Sequence, residues 1–353
     1  MREDHEPRGL SYADAGVDIA AGDEVVRRIR SLSRSRPGVL GGIGGFAGLF
    51  SLKDAGRWVD PVLLASTDGV GTKIAVAAAL GSFGTIGVDL VAMCVDDLAC
   101  AGGEPLFFLD YISMGRLDPE VVEAVVAGIA GACEAVGAAL LGGETAEHPG
   151  SMAPGELDLA GFAVGVAERE RLLGPDLVQP GDVLLGLASP GLRSNGYSLA
   201  RAALLGRAGR SLSDPAWAGS GSTLGEELLR PSVLYSPVIR EMGEKVSLHA
   251  ASHITGGGIA GNLSRSMPPS CDAVVRLGTW QVPRIFEEIR LAGSVEDPEM
   301  ARTFNMGLGM VVVIPQGSEH QAMAIAQSRQ VPCSVVGEVR EGSGQVHLEG
   351  TWR

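Results

Sequence analysis

Residues 62–77 read Val-Leu-Leu-Ala-Ser-Thr-Asp-Gly-Val-Gly-Thr-Lys-Ile-Ala-Val-Ala. Val62–Ser66 is a short continuous apolar run, the mark of a buried strand. A helix opens after the glycines, so the stretch is a strand, a tight turn and a helix, the repeating unit of an α/β fold. Gly69 and Gly71 allow the backbone to approach a ligand closely. The helix start at Thr72 offers free N–H groups and a positive dipole end to a phosphate. Asp68, at the strand end, is placed to hold Mg2+, which takes one or two carboxylates together with substrate phosphates. Lys73 is one of three lysines, with Lys53 and Lys245, and its compact ammonium suits a phosphate. The spacing does not match the G-x-x-x-x-G-K-[ST] phosphate loop. The competing reading is a capped turn with a surface lysine.

The alternation continues outward. Helices are expected over 87–101 and 119–136, the second with Asp118 as N-cap and Pro119 at its first position. Strands are expected over 105–114, over 138–141 ending at Gly142-Gly143, and over 157–168. Residues 174–182, Gly-Pro-Asp-Leu-Val-Gln-Pro-Gly-Asp, have the composition of a linker. Beyond it come strands at 183–188, 249–254, 273–275, 310–314 and 334–339. Helices are expected near 197–205, 233–242, 259–266, 282–292 and 317–327, and 206–228 reads as a variable loop. At about 150 residues per domain, 353 residues suggest two. The reading is α/β (α+β-like), with domains 1–170 and 171–353 and no internal repeat.

Twenty-eight basic residues against 42 acidic give a net charge of −14. That opposes a nucleic-acid protein acting through a basic surface and docking on anionic lipid. The charged N-terminus has no apolar h-region, so no signal peptide is expected. The longest apolar run, 124–133, is too short to span a bilayer. A cytoplasmic protein follows as the expectation. The five cysteines show no CxxC spacing and read as buried free thiols.

Five further clusters carry polar or glycine-rich chemistry. Gly41-Gly42-Ile43-Gly44-Gly45-Phe46-Ala47 can close backbone N–H groups on an anion. Gly42, Gly44 and Ala47 also satisfy G-x-G-x-x-A, but the preceding strand is poor; a plain surface loop is the alternative. Asp89, Asp96 and Asp97 lie on the 87–101 helix, whose apolar residues run almost all round. Carboxylates there need a metal or a paired partner unless they face a narrow solvated stripe. Gly142-Gly143-Glu144 follows a strand, and Gly191–Tyr197 places Arg193, Ser194 and Asn195 between a strand and a helix, with Arg193 an anion clamp. His249–Gly258 combines two histidines with three glycines. This looks more like an anion loop than a zinc site, with His249 a hydrogen-bonded core histidine.

Together the segments SYADAGVDI (11–19), GGIGGFAGLF (41–50), STDGVGTKIAVA (66–77), TIGVDLVAMCVDDLACAGGEPLFFLDY (85–111), GGETAEHPG (142–150), SNGYSLAR (194–201), HITGGGIAGNL (253–263) and RTFNMGLGM (302–310) closely resemble the phosphoribosylformylglycinamidine cyclo-ligase (aminoimidazole ribonucleotide synthetase) family. The resemblance runs in order from about Leu10 to Val339. It implies ATP- and Mg2+-dependent closure of formylglycinamidine ribonucleotide to 5-aminoimidazole ribonucleotide in purine biosynthesis, through an imidoyl phosphate. It also implies a homodimer whose N-terminal sheets pair in a barrel, with ATP near that interface and a C-terminal mixed sheet with helices.

Carried onto this chain, the resemblance makes Asp68 and Asp97 the Mg2+ ligands. Gly42, Gly44 and Gly45 cover the ATP phosphates, joined by Gly69, Gly71 and Thr72. Lys73 faces phosphate, Glu144 sits at the nucleotide or metal site, and Arg193, Ser194, Asn195, Gly196, Thr255, Gly256 and Gly257 form the substrate pocket. His253 is the candidate for proton transfer. The sequence departs from the family at three places. The family usually has Asn where Asp96 stands, often His where Arg193 stands, and commonly Met at His148. Arginine at 193 cannot act as a base. The rival readings are a sister ATP-dependent phosphotransferase and a silent nucleotide-binding scaffold.

Overall fold

The computed structural model describes residues 19–32, 36–40, 47–56 and 58–352. The N-terminal half carries helix α1 (Ile19–Ile29), a small hairpin of β1 (Val39–Leu40) and β2 (Leu49–Phe50), and the short α2 (Leu52–Ala55). Then follow β3 (Pro61–Gly69), α3 (Ile74–Leu80), α4 (Gly84–Cys100), β4 (Glu104–Met114), α5 (Pro119–Val136), β5 (Ala139–Glu147) and β6 (Leu157–Glu168). Its four-stranded sheet has the order β3-β6-β4-β5, antiparallel except for β4 against β5. β6 alternates buried and exposed residues from Leu157 to Ala163, as a sheet with one covered face should.

Helix α5 begins where its signals put it. The Asp118 carboxylate accepts the Glu120 and Val121 N–H groups at 3.0 and 3.4 Å, Pro119 opens the helix, and Gly137 closes it with φ +85°. Helices α4 and α5 cross at glycine. A Cβ on Gly87 would lie 2.3 Å from the Val125 carbonyl oxygen, and one on Gly128 would lie 2.2 Å from that of Gly84. Only glycine permits so close a crossing.

The C-terminal half carries β7 (Val183–Ala188), α6 (Tyr197–Arg201), α7 (Leu224–Leu228), α8 (Ser236–Lys245), β8 (Ala250–His253), α9 (Gly258–Leu263) and β9 (Cys271–Arg276). It ends with α10 (Arg284–Gly293), α11 (Asp297–Thr303), β10 (Leu308–Ile314), α12 (Glu319–Ser328), β11 (Cys333–Glu341) and β12 (Val346–Glu349). Six strands form a mixed sheet in the order β12-β9-β11-β7-β10-β8, in which β12 alone runs parallel to its neighbour. Strand β10 is buried along its whole length, as a central strand covered on both faces should be.

Helix α4 explains its own composition. One side meets β3, β4 and β6, and the other meets α8 and β8 of the C-terminal half. Apolar residues therefore run nearly all round it, and Asp89 and Asp96 are fully buried.

Several expected boundaries move. Strand β3 extends through Asp68 and Gly69 rather than stopping at Ser66. The strand expected at 138–141 continues through Gly142 and Gly143 to Glu147. A Cβ on Gly143 would lie 1.9 Å from an Asp110 carboxylate oxygen on β4, so the glycine keeps the strand paired instead of ending it. Helix α7 stands inside the expected loop 206–228, and α1, α11 and β12 were not expected. The five cysteines are free, with Cys94, Cys133 and Cys271 buried and Cys100 and Cys333 half-buried. Among the described residues no helix is long and apolar enough to cross a membrane.

Candidate active site

The end of β3 holds Asp68, half-buried and within electrostatic reach of Asp97 and of His253 from the C-terminal half. Its Oδ1 accepts the Gly69 N–H at 2.7 Å. Asp97, on the adjacent α4, accepts from Ser66 Oγ at 3.2 Å and from His253 Nδ1 at 2.9 Å. Burial holds the Asp68 carboxyl above its usual range; the Gly69 N–H opposes this and the Asp97 charge adds to it. Burial also works against ionised Asp97, but the His253 and Ser66 hydrogen bonds outweigh it and keep that carboxyl low.

Two carboxylates whose charges act on each other are a donor set that a hard cation would take. Asp68 has no ion-pair partner among the described residues, and its carboxyl is raised mainly by burial, with the Asp97 charge adding to it. No group of three or more His, Cys, Asp or Glu side chains that could by itself hold a metal ion stands among the described residues. The remaining positions around such a cation would fall to phosphate oxygens and water, the arrangement Mg2+ favours.

A second set of groups comes from the turn before α6. Arg193 adopts φ +63° and Gly196 φ +78°. Arg193 Nε, Ser194 Oγ and Asn195 Oδ1 are buried with no hydrogen-bond partner. Three consecutive residues thus leave polar atoms unsatisfied in one turn, at a cost normally avoided unless a ligand or water completes them. The turn faces both neighbouring loops: Thr72 Oγ1 meets Ser198 Oγ at 3.1 Å, and the Asn195 amide lies beside Gly256. Asn262 pins the Thr255–Gly258 loop by donating to the carbonyls of Thr255, Gly256 and Gly258 at 3.3, 3.2 and 2.8 Å. Below the loop, a cavity of about 390 Å3 is lined by Ser66, Asp97, His253, Asn262 and Arg265 among others. Arg265 was not singled out in the sequence; it reads there as an ordinary surface arginine.

Two expected roles change. Lys73 does not stand at an open surface. It is fully buried, 2.6 Å from Asp89 Oδ2, and donates to the Arg230 carbonyl at 2.8 Å. Asp89 Oδ1 in turn accepts from the Ser232 N–H and Oγ at 2.8 and 2.6 Å. Arg193 is not a free clamp: it is 1% exposed, pairs with Asp96 at 2.8 Å, donates to the Val233 carbonyl at 2.8 Å and lies over the Tyr235 ring. Asp96 Oδ1 also accepts the Tyr235 and Ser236 N–H groups at 2.8 and 2.9 Å, capping α8 from another helix. His253 Nε2 stands 2.9 Å from an Arg193 nitrogen that can only donate. The nitrogen partners therefore assign its proton to Nδ1, directed at Asp97. Both ring nitrogens of His253 are thus engaged, one by Arg193 and the other by Asp97.

Glu144 stands apart from the aspartate pair. The register runs Asp68–Gly161–Asp110–Gly143 across the sheet, which is about 14 Å at three strand spacings. Within this chain Glu144 therefore does not share one metal position with Asp68. Gly42, Gly44 and Gly45 lie outside the described residues. His249 is the core histidine expected, its Nδ1 2.7 Å from Asp182.

Comparison with known proteins agrees with this frame. The AIR synthase related protein N-terminal domain matches residues 53–167, and the C-terminal domain of the same family matches residues 179–349. The chain is 50% identical over 343 residues to the phosphoribosylformylglycinamidine cyclo-ligase of Anaeromyxobacter sp. (strain Fw109-5), covering 96% of this chain and 98% of that one. Among solved structures, thiamine-monophosphate kinase from Stenotrophomonas maltophilia K279a superposes with TM-score 0.66 at 20% identity, over 94% of this chain and 97% of that one. Hydrogenase maturation protein HypE in complex with ATP gives TM-score 0.64 at 18% identity, over 98% and 93%. These two structures show the shared fold, while the identity along nearly the whole length decides the branch: the chain belongs to the phosphoribosylformylglycinamidine cyclo-ligase family.

Proposed function

We propose that the protein closes the imidazole ring of formylglycinamidine ribonucleotide, giving 5-aminoimidazole ribonucleotide with release of ADP and phosphate. The observation that carries this at the site is the turn 193–195. Its unsatisfied buried polar atoms stand in a turn that comes up against Gly71 and Gly256, while the Asp68 and Asp97 carboxylates lie on the neighbouring β3 and α4. The turn suits a polar ligand and the carboxylates a cation with phosphate.

In this reading the formyl amide oxygen attacks the γ-phosphate of ATP and becomes an imidoyl phosphate. The ribosyl-bearing amidine nitrogen then attacks that carbon, and phosphate leaves. The chain's task is to hold two anionic substrates in line and to neutralise charge. Asp68 and Asp97 hold Mg2+, which supplies charge neutralisation at the phosphates when bound. Gly69, Gly71 and Thr72 present backbone to the nucleotide, with Gly42, Gly44 and Gly45 as the loop over its phosphates. Ser194, Asn195, Gly196, Thr255, Gly256 and Gly257 orient the ribonucleotide. Glu144 contacts the nucleotide away from the metal. Lys73, Arg193 and His253 build the frame.

The homodimer belongs to the same proposal. Leu63, Tyr111 and Phe162 are 58, 40 and 40% exposed on the outer face of the N-terminal sheet, and a second copy of that face would cover them. The division into domains 1–170 and 171–353 and a cytoplasmic site of action complete it. The test is thermal stabilisation by ATP with Mg2+, alone and with formylglycinamidine ribonucleotide. The shift should grow with ligand as RT ln(1 + [L]/Kd). No shift at millimolar ATP and Mg2+ would remove the proposal.

A further inference from the structure

Four side chains form one polar chain between the two halves: Asp97–His253–Arg193–Asp96. The successive contacts are 2.9, 2.9 and 2.8 Å. Both ends lie on α4, where adjacent positions point about 100° apart. Asp97 lines the cavity beside His253, half-exposed, while Asp96 is fully buried against α8. Arg193 holds the middle in a left-handed backbone conformation, φ +63°, which a non-glycine residue keeps only where its surroundings over-determine it.

We propose that Asp96 and Arg193 are a matched positioning pair that fixes the His253 ring and thereby aims the Asp97 carboxylate into that cavity. The inference rests on Asp97 being a metal ligand in the proposed reaction. The logic is directional. Guanidinium only donates, so Arg193 requires a bare Nε2 on His253, and the ring proton is left on Nδ1 for Asp97. Asp96 supplies the buried countercharge that lets Arg193 stand there. The structure joins the two as partners in one buried ion pair, so changing either alone strands the other.

The test uses the full-length protein in two arms. The first is 15N NMR of the histidine rings at one fixed pH, with His253 identified among the six histidines by its loss in His253→Asn. The wild type should show a solvent-protected Nδ1–H and an unprotonated Nε2 on His253. The double variant Asp96→Asn/Arg193→Met keeps an oxygen capping α8 and strands no charge, and it should lose that protection. A wild-type proton on Nε2, or protection unchanged in the variant, overturns the proposal.

The second arm is a cycle of Asp96→Asn, Arg193→His and both together. Each single change should raise the Mg2+ concentration for half-maximal turnover about tenfold or leave the chain unfolded, and the pair should return it to within about threefold. Losses that simply add would show that Asp96 and Arg193 act independently and would overturn the proposal. A protein without cyclo-ligase activity would defeat the proposed function while leaving the NMR result to stand or fall separately.

Discussion

Replacing Lys73 with methionine should destabilise the fold rather than disable the chemistry directly. Lys73 and Asp89 are both 0% exposed and 2.6 Å apart. Lys73→Met leaves the Asp89 carboxylate with its two Ser232 hydrogen bonds and no cation, and leaves the Arg230 carbonyl without its donor. Breaking one side of a buried pair costs about 3–5 kcal/mol. In Lys73→Met/Asp89→Asn the stranded charge is gone, and the asparagine oxygen can keep the Ser232 contacts. The remaining cost is the unpaired carbonyl and amide, about 1–3 kcal/mol. At about 2–4 °C per kcal/mol, the single variant should melt about 10 °C below wild type and the double about 5 °C below. Thermal melts of the four proteins of the cycle, with steady-state ATP turnover of each, check this. The double variant should keep turnover within about tenfold of wild type. A Lys73→Met protein that melts like wild type but has lost ATP turnover would refute the reasoning, because the ammonium would then be serving phosphate.

Asp68→Asn should lower turnover by about a hundredfold or more. Without Mg2+ its melting temperature should match or exceed wild type, because burial and Asp97 already disfavour the Asp68 charge; a large destabilisation would contradict this. Burial pushes the Asp110 carboxyl up to about 7. The folded chain therefore holds that proton from the ordinary carboxyl range up to about 7, and stability is lost as pH rises through that window. Asp110→Asn should show its smallest advantage over wild type near the bottom of the window and its largest above the top, as read by melts against pH. Asp272 is pulled down to about 2 by His347 and by the Ser343 and Gln345 N–H groups. Its contribution is present above the ordinary carboxyl range and disappears as pH falls towards about 2. Asp272→Asn should melt below wild type at neutral pH, with the gap closing in acid.

Local signals in the sequence located many of the elements well. Asp118, Pro119 and Gly137 bound α5 because capping is decided within one turn of chain, and β7 stands at 183–188 because its apolar run is bracketed by turn residues. Gly142-Gly143 misled for the opposite reason: what keeps that strand going is Asp110 on a neighbouring strand, invisible to a local reading. Helix α11 carried a usable start signal, Asp297-Pro298, but is short and mostly polar, and β12 is a four-residue edge strand. The site residues divide in the same way. Asp68 and Asp97 lie on the neighbouring elements β3 and α4, a pairing that the resemblance implied and no local pattern gave. The partners of Asp96 and Arg193 could not be read, since they stand 97 positions apart and meet only when β8, α8 and α4 pack together. Lys73 is likewise made a buried tie by distant partners, Asp89 on α4 and the Arg230 carbonyl, rather than by any motif.

The most direct measurement mixes purified protein with formylglycinamidine ribonucleotide, ATP and Mg2+ and follows 5-aminoimidazole ribonucleotide and ADP in parallel. The account predicts equal formation of both products, each dependent on the ribonucleotide. ADP without the aminoimidazole product, or neither product from folded protein, would contradict it.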